Sequence, residues 1–380
     1  MDTAHAAFPS LRTEISGMNY ESNTRRGQLK GYMWEGVVSC FLKENGFIEI
    51  ANVDNGRTRR NREHFFEMRG RGTWHQIDCP CDYKHFIPFV SPLRLLAEVK
   101  FYSKSIEKHM IREFVGTIKD IQENYFVPDD FTQASMRYTE LGAYFSANGF
   151  NEEAERLAFA HNIKTVSYRN IPILDDLKRI IETLERSYLS VKKCISVGNQ
   201  NDFISLFREI LLKKERYSEF ISAKSVLDFI ERFTPVDVDK EAFFNALYSL
   251  KEYFNKIKVN FIASSSAGAL LHFVGSNSFP DELFKRTDEQ RCRVFYRTIR
   301  TESQYYLIFS DDKSERRYYF SPPLALNRSV FFGGRKVYNE KERIFRELHI
   351  SRHIDGLART LVLKLDQDWL EKVWRDNHDE

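Results

Sequence analysis

The sequence predicts an α/β fold in three parts: an N-terminal domain with a mixed central sheet flanked by helices, a helical segment, and an α+β C-terminal module. Three observations carry this. Between residues 29 and 172, strand-like runs alternate with amphipathic helical patterns. From 173 to 258 the periodicity is almost wholly helical, and from 259 to 380 the texture changes to short aromatic strands separated by Gly, Asn, Asp and Pro. Residues 1–28 show no sustained periodicity and read as an N-terminal arm.

Composition bounds the rest. A chain of 380 residues exceeds what one core usually holds, and 42% hydrophobic and 14% aromatic residues are enough to bury two or three. The formal net charge of +3 gives little whole-molecule steering, so any nucleic-acid binding must come from local patches. Cys40, Cys79, Cys81, Cys194 and Cys292 are odd in number and scattered, which fits a reducing compartment and packing roles. No apolar run approaches the roughly 20 residues that span a bilayer. The expectation is a soluble, cytoplasmic protein with no membrane partner.

The chain is organised around Thr73 to Tyr102. Residues two apart on a strand share a face, so Leu95, Ala97, Val99 and Phe101 form one apolar side while Glu98 and Lys100 look the other way. Read as one strand, TWHQIDC likewise puts Gln76 and Asp78 on a common face, followed by a bent loop holding Pro80, Pro88 and Pro92. If the two strands are neighbours, Asp78 and Glu98 come close. Like charges about 4 Å apart repel by roughly 4 kcal/mol at an effective dielectric near 20, so a positive charge must lie between them. Lys100 supplies one. Mg²⁺, which binds through one or two carboxylates plus water and phosphate, would supply another. Metal-dependent phosphodiester chemistry is the hypothesis.

In chain order, Trp34, Val37, Val38, Phe41 and Leu42 predict a helix over 29–45 with Gly46 as its stop. Glu35 sits at the margin of its apolar face, where an acid is most often a solvated flank residue. A strand over 47–53 and a tight turn at Asn55-Gly56 follow. Arg57, Arg59, Arg60, Arg62, Arg69 and Arg71 then crowd the approach to Asp78. They read either as a solvated hairpin or as phosphate contacts, and their position before Asp78 tips the balance to phosphate. Lys104, with Lys108 and Arg112, extends the basic character into an amphipathic helix ending at Gln122. A strand over 137–146, a helix over 151–161 and a strand over 163–168 predict a parallel pair with a helical crossover. The stripes beyond Pro172 read as bundle core or a dimerisation face. In CRVFYRTIR, Arg291, Arg293 and Arg297 alternate with apolar residues; the row reads as a base-stacking surface or as an ordinary strand face, and pattern alone favours the latter. No G-x-x-x-x-G-K-[ST], H-E-x-x-H, G-x-S-x-G or paired C-x-x-C is present.

Asp78, nineteen intervening residues and then Glu98-Val99-Lys100 match the D-x(n)-E-x-K pattern of the PD-(D/E)XK nuclease superfamily. More narrowly, GRGTWHQID, LLAEVKFY and AYFSANGFNEEAERLA resemble the Mrr-like restriction endonucleases, over roughly Leu29 to Pro172. The resemblance implies a restriction-endonuclease-like fold and Mg²⁺, with Mn²⁺ as a substitute, held by Asp78, Glu98, Val99 and the helical Glu35. It further implies that Lys100 orients or helps deprotonate the attacking water, with Gln76 positioning water or phosphate. The expected substrate is double-stranded DNA, foreign or modified, in antiviral restriction, with a homo-oligomer or a defence-system protein as partner. A junction-resolving repair nuclease and a non-catalytic DNA-binding subunit are the rival readings.

Overall fold

The computed structural model describes residues 11–50, 56–61, 66–85, 89–125, 137–190, 199–213, 216–279, 281–285, 290–299, 302–322, 339, 342–354 and 357–376. The first helix, α1 (Leu11–Glu44), begins inside the stretch read as an arm, so that arm is helical from Leu11. Gly46, with φ +86°, turns the chain out of the helix in a conformation that glycine adopts freely.

The next elements are β1 (Phe47–Glu49), β2 (Thr58–Arg60), β3 (Phe66–Arg69), β4 (Trp74–Gln76), β5 (Cys79–Tyr83), β6 (Leu93–Lys100), α2 (Lys108–Gln122), β7 (Thr139–Ser146), α3 (Glu152–Ala160) and β8 (Lys164–Ser167). Five of these strands form one mixed sheet in the order β1-β5-β6-β7-β8. Its first two pairings are antiparallel, and β6–β7–β8 are parallel, each parallel step crossing through a helix. Strands β2, β3 and β4 form a separate antiparallel sheet.

TWHQIDC is therefore not one strand. Gln76 belongs to the small sheet, opposite Glu67, while Cys79 opens β5 opposite Ala97, and Asp78 lies at the bend between them. Pro80 falls within β5 rather than in a loop, facing Leu96, and Pro88 lies outside the described residues. The two sides of β6 do face different layers. Leu95, Ala97 and Val99 join Trp34, Val37, Val38 and Phe41 of α1 in one cluster, while Leu96 packs with Ile111, Phe114 and Ile118 of α2.

Beyond β8 come α4 (Pro172–Tyr188), α5 (Asn199–Leu212), the single turn α6 (Tyr217–Phe220), α7 (Lys224–Phe233) and α8 (Lys240–Asn255). Their Phe203, Phe207, Phe229 and Phe243 belong to the same buried cluster as Trp34, Val99 and Phe145. The boundary read at Pro172 separates kinds of element, not cores.

The C-terminal strands are β9 (Val259–Ser265), β10 (Leu270–Gly275), β11 (Gln290–Ile299), β12 (Glu302–Phe309), β13 (Tyr318–Phe320), β14 (Glu347–Ile354) and β15 (Leu357–Leu365), followed by α9 (Gln367–Asp376). They close a barrel in the order β10-β13-β12-β11-β15-β14-β9, completed by pairing of β9 with β10. Closure removes every free edge. The interior is filled by aromatic rings, among them Phe261, Phe273, Phe309, Tyr318 and Phe320.

A buried polar junction ties this barrel to α1. Asn260 donates to the Phe41 carbonyl (3.2 Å) and to Glu44 (2.6 Å), and its oxygen accepts from Asn45 (3.0 Å) and from His272 Nε2 (2.7 Å). Because that oxygen only accepts, His272 carries its proton on Nε2, leaving Nδ1 to accept from the Tyr168 hydroxyl at 3.0 Å. Burial lowers the His272 pKa to about 3, so the ring is neutral. The thiols of Cys40, Cys79, Cys81 and Cys292 are free and buried, while Cys194 lies outside the described residues. Among the described residues no helix is long and apolar enough to cross a membrane.

Candidate active site

The register of β5 on β6 decides the site. With Cys79 opposite Ala97, Asp78 at the mouth of β5 falls beside the C-terminal end of β6. One carboxylate oxygen of Asp78 accepts from the Val99 amide (2.9 Å) and from Lys100 Nζ (2.8 Å). The same ammonium lies 2.5 Å from Glu98 Oε1. Asp78 and Glu98, twenty residues apart in sequence, thus converge on one cation.

Glu35 completes the electrostatics from α1. Burial, then Asp78, pushes its carboxyl well above the ordinary range, and Lys100 only partly offsets this. Burial and Asp78 likewise raise Glu98 to about 7 despite Lys100 beside it. Burial alone would lower Lys100, but Asp78, Glu98 and Glu35 outweigh it and hold the ammonium firmly charged. Three carboxyl groups share one ammonium, and in this geometry protons relieve the excess negative charge. Among the described residues, no group of three or more His, Cys, Asp and Glu side chains is arranged to hold a metal ion.

Two hollows meet here. A cleft of about 640 Å³ is lined by Glu35, Gln76, Asp78, Val99, Lys100 and Lys104, among others. A second of about 350 Å³ is lined by Glu35 and Asp78 again, with Arg60, Asp202, Ser205 and Arg208. Glu35 and Asp78 stand on the divide, and Gln76 reaches the first cleft from the small sheet instead of from Asp78's own strand. Glu98 lines neither hollow and meets the site through Lys100.

The arginines separate into distinct environments. Arg57 is a correction to the phosphate reading: it is only 5% exposed, donates to Glu140 (3.1 Å) and to the Asn124 carbonyl (2.7 Å), and stacks on Tyr125 at 3.6 Å. A guanidinium so enclosed holds the small sheet to β7 and does not meet a ligand. Arg59 pairs with Glu67 (2.7 Å) and covers Trp74, and Arg71 pairs with Glu123 (2.9 Å) on the surface. Arg60 lines the second hollow, Arg69 and Lys104 are exposed, and Arg62 lies outside the described residues.

Arg208 escaped the sequence reading. It donates to Ser39 (2.8 Å) and contacts the Glu49 carboxylate, putting a cation of α5 beside Glu35's hollow. Its segment, FISLFREILL, carries only a core-like helical stripe, and no local signal announces a partner so distant in the chain.

No protein-family model matches the chain, and no curated protein matches it. Among solved structures, the crystal structure of AF1548, a protein of unknown function, aligns with 59% of this chain and 98% of its own at 13% identity and a TM-score of 0.30. Likeness at that level fixes neither fold nor function, and the site is read from its own geometry.

Proposed function

We propose that the chain is a Mg²⁺-dependent endodeoxyribonuclease that hydrolyses phosphodiester bonds of double-stranded DNA. The observation that carries this is the meeting of Asp78 and Glu98 on Lys100, with Glu35 facing them from α1. Half-buried carboxyls with raised pKa values are acids lacking sufficient positive charge, the condition a hard divalent cation satisfies. Asp78, Glu98, Glu35 and the main chain of Val99 are the groups that would hold it, once Asp78 and Glu98 turn from the Lys100 ammonium that engages them in this arrangement, with Mn²⁺ as a substitute. When bound, such an ion polarises the scissile phosphate and lowers the pKa of a coordinated water.

The chain's own residues do the rest. Lys100, kept charged by its neighbours, acts as a donor, positioning the attacking water and offsetting transition-state charge; it is too firmly protonated to be the base. Gln76, at the rim, positions water or phosphate. Arg59, Arg60, Arg69, Arg71 and Lys104 contact the DNA backbone, the first and fourth after releasing their carboxylates. The succession from α1 to β8 is compatible with a restriction-endonuclease-like domain of the PD-(D/E)XK type, with β2–β4 inserted. On this reading the role is restriction of foreign or modified DNA. A non-catalytic DNA-binding role has one observation in its favour, the engagement of both carboxylates by Lys100 in an ion pair that is also a sound structural device.

Digestion of plasmid, methylated phage DNA and RNA by the purified chain, with and without chelator, separates these readings. DNA cleavage is expected with Mg²⁺ and lost with chelator. Glu98→Ala and Lys100→Ala are each expected to reduce it by at least about 100-fold with circular dichroism unchanged. Nicking retained in both variants removes the assignment.

A further inference from the structure

The outer wall of the barrel carries a feature that nuclease chemistry does not use. Along β11, Cys292 and Val294 point into the core, so Arg293, Phe295 and Arg297 point out. Along β12, Tyr305, Leu307 and Phe309 are inside and Tyr306 is outside; on β13, Tyr318 and Phe320 are inside and Tyr319 is outside. The register sets Phe295 opposite Tyr306 and Tyr306 opposite Tyr319, making one row of three rings across three strands. Phe295 and Tyr306 are stacked with centroids 5.6 Å apart at 17°, and Tyr319 follows at 5.6 Å. Trp369 of α9 flanks the row 5.0 Å from Phe295, and all four rings are half-buried.

Cross-strand aromatic pairs also serve stability, so rings alone decide nothing. The cations decide. Arg317 lies 5.0 Å from the Tyr306 centroid and Arg293 lies 6.0 Å from that of Phe295, while Arg297 is exposed at the end of the same strand face. Among the described residues none of the three is matched to a carboxylate, and Arg293 Nε is buried without a hydrogen-bond partner. Elsewhere on this barrel Arg291 is matched to Asp368, Arg316 to Asp312 and Arg352 to Asp281, whereas Arg359 of β15, like Arg293, has a buried Nε without a hydrogen-bond partner among the described residues. The positions of β12 on this face, Gln304, Tyr306 and the buried Ile308, carry no acid.

We infer that this wall binds single-stranded nucleic acid, its bases stacking on Phe295 and Tyr306, while Tyr319 packs against the main core and backs the row, and its phosphates meeting Arg293, Arg297 and Arg317. Ring faces read the faces of unpaired bases, which a duplex keeps covered, and the guanidinium groups that flank the rings, Arg293 and Arg317 to one side and Arg297 to the other, supply the backbone contacts. The site lies on the barrel, apart from Asp78 and Glu98, and does not depend on the nuclease reading.

The test uses the full chain in chelator, which silences metal chemistry, and follows the fluorescence anisotropy of labelled oligo(dT), oligo(rU) and a duplex of equal length. Both single strands, or one of them, are expected to bind more tightly than the duplex; the two arms separate DNA from RNA. Tyr306→Ala and Phe295→Ala are expected to weaken binding by about five- to hundred-fold with the salt dependence unchanged. Arg317→Ala is expected to lower the slope of log affinity against log salt by about 0.7. Tyr306→Trp keeps a ring and keeps binding, and Tyr306→Leu, which keeps bulk without a π-face, covers the case in which alanine unfolds the barrel. A preference for duplex, or equal affinity of wild type and folded Tyr306→Leu, overturns the inference. The readout is binding in chelator with variants on the barrel alone, so failure of the nuclease assignment leaves this result intact.

Discussion

Glu98 shows how one side chain can be tuned by its burial. Its carboxyl is raised to about 7 from an ordinary 4.5, by burial first and by Asp78 second. Between those values the folded chain keeps a proton that the unfolded chain has released, so this group's contribution to stability falls as pH rises through that window. Above it the carboxylate is charged and pairs with a cation. Mg²⁺-dependent cleavage is therefore expected to rise with pH across neutrality. In chelator, Glu98→Gln is expected to gain on the wild type between pH 5 and pH 8; thermal melts at the two values check this, and an advantage that does not grow contradicts it. Arg57 makes the opposite case, a residue that looks like a ligand contact and is structural. Arg57→Ala leaves Glu140 buried without its cation and is expected to cost about 3–5 kcal/mol, whereas the exposed Arg69→Ala stays within about 0.5 kcal/mol. Urea unfolding of the two variants separates the roles that adjacency in sequence blurs.

At the scale of elements, α1 sets the position of Glu35, and its contact with α5 depends on a glycine. A Cβ added to Gly36 would stand 2.9 Å from a ring carbon of Phe207. That ring lies parallel to Phe203 and cannot retreat without disturbing the core. Alanine gains about 1 kcal/mol of helix propensity over glycine, yet overpacking of this kind costs about 1–3 kcal/mol, so Gly36→Ala is expected to lower Tm. Gly31, in the same helix, has nothing within 4 Å of the added atom, and Gly31→Ala should raise Tm. Calorimetry on the pair isolates the clash from the propensity. The elements around the site were legible one by one. The helix carrying Trp34 and Phe41, the strand ending in Lys100, and the crossovers through α2 and α3 all have strong periodicity, which local sequence encodes directly. The break at Asp78 was not legible, because alternation continues smoothly across TWHQIDC while the pairing partner changes from β3 to β6.

Across the whole molecule, the junction between barrel and α1 links stability to acid. His272 is neutral with a pKa of about 3 against an ordinary 6.5, so below 6.5 the unfolded chain takes up a proton that the folded chain excludes. The stability it contributes is complete above that value and declines as pH falls toward 3, by up to about 1.4 kcal/mol per pH unit. His272→Gln is expected to flatten this decline, and urea unfolding at pH 7 and pH 4.5 shows whether it does. Composition and periodicity alone determined that the chain is α/β, that it changes texture near residues 172 and 259, and that Glu98 and Lys100 share a face, because each depends on residues adjacent or nearly so. Three things waited for tertiary structure: the meeting of Asp78 and Glu98 on one ammonium, the withdrawal of Arg57 into the core, and the closure of the aromatic strands into a barrel. Each is set by pairing register between distant segments, and a shift of one residue would turn every one of those side chains to the opposite face.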